Sequence, residues 1–500
     1  MKSRIVTGLM VILLASLKVF AQFPEDALRL GQPGYGVSAR SMSMGNAMTG
    51  LSEGFDATYF NPAGLAQSYQ SQFTMGLNFL GYNNDANYLG TPSSLSSSQT
   101  DLSSFGLVYP FPTTRGSFVI ALGYNRGTDF NSALGFNAYN PNSSIVRSLY
   151  DNSVDYDIPY NVGLEDTLEN IKLNKNVQQN GTVYESGGLN NWLLAGSVDI
   201  AQDFSIGLTL NLVSGSYHYA RQFTETDPNG YWANTQLSDI SNAIGLGSFV
   251  LNDNVDQDLS GWDAKFGFLY RLANESGKVI ARFGGTIEFP TFMTVDETYS
   301  DAGTYVNAKG VDITPEANPS GVSPYTTPGG NNNYDVTTPF KFGFGVSGGI
   351  SILTIAADVQ YVDWTELQFS TSSGPTLPSG FINNLNSQVR QEFRAATNLR
   401  VGAELALANP DYSSFVPYIR GGLGYYESPY VGDGSAQAQK YASGGVGFRI
   451  QNSIDLDLAY QYGWWNTSEQ LYFDPVTNAS YGTTNKITNT NFMFTFEYNF

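Results

Sequence analysis

The chain of 500 residues contains no cysteine and only one histidine. The missing thiols exclude a disulfide framework, a thiolate metal site and a lipid attached to an N-terminal cysteine. Charge is scarce too: 14% of the residues are charged, and 44 acidic residues outnumber 24 basic ones, for a formal net charge of −20. We expect no nucleic-acid partner, because binding phosphates requires a basic surface.

Long hydrophobic runs are also missing. Beyond residue 21 no segment reaches 18 continuous apolar residues, so no transmembrane helix is predicted. Lys2 and Arg4 precede a short apolar run from Ile5 to Leu17, and the small residues Val19 and Ala21 follow it. This pattern predicts a cleaved signal peptide over residues 1–21, with an uncleaved anchor as the alternative. Cleavage leaves 21 basic and 44 acidic residues, a net charge of −23.

The abundant residues are Gly, Tyr and Phe, at 53, 32 and 32. An exported chain of this composition without helical spans is typical of an outer-membrane β-barrel of a Gram-negative bacterium. Aromatics alternate along the last ten residues and end at Phe500. This alternation is similar to the signal read by the barrel-assembly machinery, so Phe500 is predicted to contact it. A soluble edge strand with such a row would invite aggregation.

Period-two stretches predict about 14 antiparallel strands. They cover approximately 72–82, 103–111, 116–126, 189–200, 203–219, 260–271, 278–298, 335–348, 351–363, 391–407, 414–427, 438–450, 453–467 and 487–500. Long connectors, such as 83–102, 127–188 and 468–486, follow the odd strands, and short turns follow the even ones. This alternation predicts an all-β transmembrane antiparallel barrel with both termini in the periplasm.

Charged residues share one face of these strands. In the sixth strand Trp262, Phe266 and Phe268 alternate with Asp263 and Lys265. A charge facing lipid at mid-depth costs about 2–4 kcal/mol, so the charged face is predicted to line the lumen. Its cations are candidates for binding a ligand carboxylate: Lys265, Arg282, Lys341, Arg394, Arg400, Arg420 and Arg449. The alternative is that they form structural salt bridges to Asp263, Glu288, Asp358, Glu404, Asp455 and Asp457.

Residues 22–71 precede the first strand and mix small with apolar residues, unlike a flexible tail. A short helix is expected around Ala39–Leu51. The Asn61-Pro62 step predicts a turn, and Ala63 and Gly64 permit close backbone approach. We therefore predict that residues 22–71 form a hatch that plugs the lumen of a barrel built from residues 72–500. A periplasmic turn leading into the first strand is the alternative.

Several motifs resemble the FadL-type outer-membrane transporters of long-chain fatty acids and other hydrophobic compounds. The hatch sequences SARSMSMGNAMTG and DATYFNPAGLA carry the resemblance, together with IAADVQYVDWTEL, FRAATNLRVGAEL and VPYIRGGLGYYESP. With the strand count it covers nearly the whole mature chain. The resemblance implies capture of a hydrophobic ligand, passage to a lumenal pocket, and release when the hatch containing Asn61, Pro62, Ala63 and Gly64 shifts, either directly or sideways through the wall.

The sequence leaves two other functions to compare with transport. Some barrels with this hatch signature, PorV-like ones among them, bind partner proteins in secretion instead of transporting lipids. An enzyme is not expected, because the only histidine, His218, falls on the lipid side of its strand and cannot assist a lumenal nucleophile. No metal or organic cofactor is predicted, and the expected partners are outer-membrane lipid and a hydrophobic small molecule.

Overall fold

The computed structural model describes residues 24–32, 34–153, 156–274, 279–350, 352–372, 377–410 and 412–500. The predicted signal peptide lies outside the described residues. The described part contains fourteen barrel strands, four of which are interrupted by a short break: β1 Gln72–Tyr88, β2 Thr91–Phe111, β3 Phe118–Asp129 with Ser132–Asn140, β4 Val177–Ala201, β5 Phe204–Thr226, β6 Ser248–Ala273, β7 Val279–Glu288 with Phe292–Val306, β8 Gly330–Thr337 with Lys341–Ile350, β9 Leu353–Asp363 with Gln368–Thr371, β10 Ala395–Ala406, β11 Phe415–Tyr426, β12 Gln439–Ile450, β13 Ile454–Asp474 and β14 Ala479–Asn499.

The barrel is closed. Each strand pairs antiparallel with the next, and β1 pairs with β14 from Gln72 opposite Asn499 to Tyr88 opposite Thr483. A two-residue strand, Tyr325–Thr326, adds to the edge of β7. The predicted fourteen-stranded antiparallel barrel is therefore confirmed.

Helices are few and short. They are α1 Pro24–Gly31, α2 Ala39–Ser43, α3 Asp56–Phe60, α4 Ile158–Val162, α5 Thr314–Ala317 and α6 Ser379–Glu392, with 3-10 helices at Pro62–Gln67, Ile145–Ser148 and Trp364–Glu366. None of the helices in the described residues is long and apolar enough to cross a membrane.

The outer face carries an apolar belt. On β2 the exposed row includes Leu107 and Tyr109, and on β5 it includes Leu208, Leu210 and Leu212. Charged side chains on the opposite faces are buried in the lumen, as the parity of the sequence predicts. This is the arrangement of an outer-membrane barrel, whose lipid-facing and lumen-facing residues alternate.

The chain ends close to where the barrel begins. The backbone N–H of Phe500 donates to the Ser71 carbonyl at 2.9 Å, while 61% of Phe500 remains exposed. Recognition of Phe500 by the assembly machinery stays a prediction.

Several strands are much longer than a membrane requires. A tilted strand crosses in about 9–11 residues, whereas β4, β5 and β6 have 25, 23 and 26. The extra residues lie on the side of the long connectors, so the wall rises beyond the membrane. The prediction of long connectors at 83–102 and 468–486 is wrong. The first is a hairpin turning at Leu89 and Gly90, and the second turns at residues 475–478.

The N-terminal segment fills the lumen. Residues of α2 and of the Pro62–Gln67 helix contact inward-facing residues of the wall. The helix expected over Ala39–Leu51 ends earlier, at Ser43. Gly45 and Asn46 follow with φ near +60°, a conformation that cannot continue a right-handed helix.

Candidate functional site

Asn61 holds the centre of the hatch. Its side-chain amide donates to the carbonyl of Thr49 in the hatch at 2.8 Å and to that of Phe268 on β6 at 3.0 Å. Its side-chain oxygen accepts from the Ala63 N–H at 3.2 Å, which begins the 3-10 helix. Asn61 is fully buried. One side chain therefore joins two hatch segments and the barrel wall.

Glycines on the wall let the hatch approach closely. A Cβ on Gly267 would lie 2.1 Å from the Asn61 side-chain oxygen, and one on Gly207 would lie 2.3 Å from the Pro62 carbonyl carbon. The Ala63 carbonyl accepts hydrogen bonds from the hydroxyls of Ser197 and Ser205 at 3.2 and 3.0 Å. The Asn-Pro-Ala turn therefore docks by backbone contact against β4, β5 and β6.

Gly64 completes the turn inside the hatch itself. A Cβ there would lie 2.2 Å from the carbonyl oxygen of Ser52. Asn61, Pro62 and Ala63 thus form a close contact between the hatch and the wall, and Gly64 packs within the hatch.

The lower side of the hatch is tied to the wall by ion pairs. Arg40 on α2 bridges Glu53 in the hatch at 2.8 Å and Glu404 on β10 at 3.1 Å. Glu404 also pairs with Arg420 on β11 at 2.6 Å, and Arg420 pairs in turn with Asp457 on β13. Buried charges are costly unless paired, so each member of this network depends on the others being in place.

A cavity of about 90 Å³ lies above the hatch. Lys265 and Lys341 line it and share the two oxygens of Glu288, at 2.9 and 2.7 Å. The three residues are directly opposite one another on β6, β7 and β8. Lys265 also donates to the Tyr59 carbonyl of the hatch. The volume suits a few water molecules, at about 30 Å³ each.

Arg400 lines the same cavity from β10. One terminal nitrogen lies 3.8 Å from the Asp358 carboxylate, and the guanidinium also bonds the Tyr426 hydroxyl. Its Nε is buried and has no hydrogen-bond partner among the described residues. Arg400 is thus a lumenal cation with a buried donor that has no partner among the described residues, and its ion pair is longer than those of Lys265 and Lys341.

An apolar cluster lies above the cavity, and α1 is inserted into it. Ala27, Leu28 and Leu30 of α1 are buried there. We call this the upper apolar cluster; the wall supplies Leu189, Val213, Leu259, Met293, Val295, Val336, Trp364 and Phe369, and α6 adds Ile382, Leu385 and Val389. Leu30, Leu189 and Val213 also line the polar cavity, so the two regions are continuous.

The remaining predicted cations lie elsewhere. Arg449 pairs with Asp455 at 2.8 Å, in a cavity of about 270 Å³ that the lower face of the hatch also lines. Arg282 donates to the Gln67 side chain at 2.7 Å. Arg394 precedes the first residue of β10, and it donates to the Tyr430 carbonyl of a loop at 3.1 Å. The structure therefore brings Lys265, Lys341 and Arg400 together in one cavity and Arg420 with Arg449 in another, and Arg282 and Arg394 line neither.

Sequence reasoning missed two arginines of the hatch. Arg40 forms the ion pairs described above. Arg29 on α1 pairs with Asp26 at 2.5 Å and stacks 3.5 Å above the ring of Tyr217 in the upper lumen. The other cations were found from the alternation of residues along strands. The hatch consists of short helices and turns, so this alternation cannot predict which of its residues contact the wall.

The single histidine lies outside the lumen. His218 points outward on β5, as its parity predicts, and its Nδ1 lies 2.6 Å from a carboxylate oxygen of Asp256. Over the described ranges, no group of three or more His, Asp or Glu side chains is placed to hold a metal ion.

The fold has solved counterparts. The crystal structure of a FadL homologue from Pseudomonas aeruginosa is similar with a TM-score of 0.54 and 14% identity, over 94% of this chain and 98% of that one. The toluene transporter TodX of P. putida is similar with a TM-score of 0.51 and 14% identity, over 94% of this chain and 99% of that one. No family model and no curated protein matches the sequence. The chain therefore has the fold of FadL-type outer-membrane transporters, which confirms the predicted resemblance at the level of the fold.

Proposed function

We propose that this outer-membrane barrel carries hydrophobic small molecules, long-chain fatty acids in particular, into the periplasm. The observation that carries the proposal is the order of regions along the lumen. The upper apolar cluster is followed by a polar cavity containing Lys265, Lys341 and Arg400, and then by the hatch. An amphipathic ligand needs an apolar space for its tail and a positioned cation for its carboxylate, in that order along one axis.

The tail would take the place of α1. Burying a methylene contributes about 0.8 kcal/mol, so a long acyl chain can compete with Ala27, Leu28 and Leu30 for the upper apolar cluster. The cavity of about 90 Å³ is too small for a tail while α1 remains. Binding would therefore displace α1, the first helix of the hatch, and a shift of the rest of the hatch would open the way to the lower cavity.

Arg400 is the best placed partner for the carboxylate. Its unpaired Nε can donate to a carboxylate, and its ion pair with Asp358, at 3.8 Å, is longer than the pairs of 2.9 and 2.7 Å that hold Lys265 and Lys341 to Glu288. A hydrogen bond to a charged group is worth about 1.5–3 kcal/mol. The other predicted cations serve the wall, a loop or the lower cavity.

The experiment compares oleate with oleyl alcohol, which has the same tail and no carboxylate. We expect Arg400→Gln to weaken oleate binding about tenfold or more, since about 1.4 kcal/mol is tenfold in affinity, and to leave oleyl alcohol unchanged. Arg449→Gln is the matched control, because it removes a lumenal cation from the lower cavity instead. Equal binding of oleate by wild type and Arg400→Gln, with toluene uptake intact, would show that the ligand is a neutral hydrocarbon.

The alternative is a barrel that binds partner proteins in secretion. Such a barrel needs no continuous apolar and polar compartment, so no feature of the lumen favours it. Failure of the purified protein to bind oleate, oleyl alcohol or toluene would favour it over transport.

A further inference from the structure

The barrel wall is incomplete above the membrane on one side. The ladder between β12 and β13 stops where Lys440 faces Trp464, although β13 continues to Asp474. The ladder between β2 and β3 joins only Ser104–Phe111 to Phe118–Asn125, although β2 begins at Thr91. Between these points β13, β14, β1 and β2 stay fully paired with one another. Residues 84–95 and 465–487 thus form a four-stranded extension, which we call the flap, and no strand ladder joins its two edges to β3 or β12. Single hydrogen bonds reach from these edges to Gly135 and Ala436.

The flap folds across the mouth and touches the opposite wall. On the shorter way round the barrel five strands separate β13 from β5. Nevertheless, Arg221 on β5 donates to the Leu471 carbonyl of the flap at 2.7 Å, and the rings of Phe223 and Tyr472 lie 5.9 Å apart. On β4, Gln179 donates to the Tyr472 hydroxyl at 2.9 Å. These contacts close the lumen at its outer end.

The loop after β3 fastens the flap to the wall. Residues 143–147 lie between Asp474 at the tip of the flap and Glu225 on β5. Asp474 accepts from the Ser143 hydroxyl at 2.6 Å and pairs with Arg147. Glu225 accepts from the Ser144 hydroxyl at 2.5 Å and from the Ile145 N–H at 2.8 Å. Ser143, Glu225 and Asp474 are all fully buried. We call this set of contacts the latch.

From this geometry we propose that the flap is a gate at the outer mouth, which swings away from β4 and β5 to admit substrate when the latch releases. A sheet joined to the barrel only at its base can move as a unit, because neither edge ladder has to break. The latch, the contacts of Arg221 and Tyr472, and the packing of Tyr88 against Phe136 of β3 oppose the movement. This gate is at the opposite end of the lumen from the hatch. The gate proposal rests on the proposed function only for the identity of the substrate.

The first test needs no substrate. The chain has no cysteine, so Ser143→Cys introduces a single thiol beneath the flap. We expect a membrane-impermeant maleimide to label it in outer membranes, because the flap opens. Ser205→Cys is an equally buried control beside the hatch and should stay unlabelled. A Ser143→Cys protein that folds and stays as unreactive as the control would overturn the proposal.

The second test locks the gate. Ser143 and Asp474 are in hydrogen-bond contact, so Ser143→Cys with Asp474→Cys should form a disulfide between flap and loop. We expect oxidation to lower uptake of labelled oleate or toluene at least tenfold, and reduction to restore it. Ser468→Cys with Thr484→Cys, which are opposite each other within the flap, should cross-link without effect.

The outcomes separate the two proposals. Equal uptake by the oxidised and reduced locked protein would overturn the gate while leaving transport intact. Uptake of neither probe by the reduced protein, with Ser143→Cys still labelled, would overturn the transport proposal and leave the gate standing.

Discussion

Single residues determine how stable the closed flap and the closed hatch are. Glu225, in the latch, is the clearest case. It lies near the outer end of β5, some twenty residues from the periplasmic end, so it is well outside the membrane-spanning part. Burial raises the pKa of Glu225 to about 7 from its ordinary value of 4.5. The positive charge of Arg147 lowers this pKa. Gln179 is hydrogen-bonded to Glu225 and also to the hydroxyls of Tyr88 and Tyr472 on the flap.

The raised pKa makes the latch sensitive to pH. The closed flap binds the Glu225 proton more tightly than the open flap, where the carboxyl is solvated. Closure is therefore fully favoured below about pH 4.5, and this contribution is lost as pH rises through about 7. We expect maleimide labelling of Ser143→Cys to increase between pH 5 and pH 8, relative to the exposed Ser468→Cys. Glu225→Gln should abolish this dependence, and an unchanged pH profile in that variant would exclude Glu225 as its source.

The residues of the site show what parity can predict and where it stops. Alternation correctly placed Lys265, Lys341 and Arg400 on the lumenal face. It could not show that Lys265 and Lys341 share Glu288, because that depends on the register of three strands separated by loops. Nor could it distinguish Arg394, which stands just outside its strand and contacts a loop.

Among the structural elements, the hatch is held at its centre by its Asn-Pro-Ala turn. We expect replacement of Asn61-Pro62-Ala63 by Gly-Ser-Gly to release the hatch, because it removes the hydrogen bonds to Thr49 and Phe268, each worth about 1 kcal/mol. Planar-bilayer recordings should then show ion conductance that the wild type lacks. Tyr69→Ala is the control, since Tyr69 is 82% exposed. Conductance equal to wild type in the triple variant would argue against a plug held at this turn.

The strands themselves were predictable only inside the membrane. There, lipid on one side and the lumen on the other force an apolar and polar alternation that a sequence displays. Above the membrane no lipid imposes such an alternation, and β2 reads TPSSLSSSQT with no regular apolar row. Residues 83–102 therefore resemble a loop, although 83–88 belong to β1 and 91–102 pair regularly with β1. The flap was invisible to sequence reasoning for this reason.

At the scale of the whole molecule, the lumen is closed in successive layers. From the outside inwards they are the flap with its latch, the upper apolar cluster filled by α1, the polar cavity with Arg400, and the hatch. An open pore would need none of these layers. The order of the layers is what an amphipathic molecule needs for stepwise passage.

The most direct test of this account is uptake through a barrel whose hatch can be locked. The Ala39 N–H donates to the Thr495 hydroxyl at 2.8 Å, so Ala39→Cys with Thr495→Cys should join hatch and wall under oxidation. The measurement is uptake of labelled oleate and toluene into proteoliposomes, per folded barrel, before and after reduction. We predict uptake of at least one probe by the reduced protein and its loss on oxidation. Uptake no greater than that of empty liposomes in both states, or equal uptake in both, would contradict transport through a moving hatch.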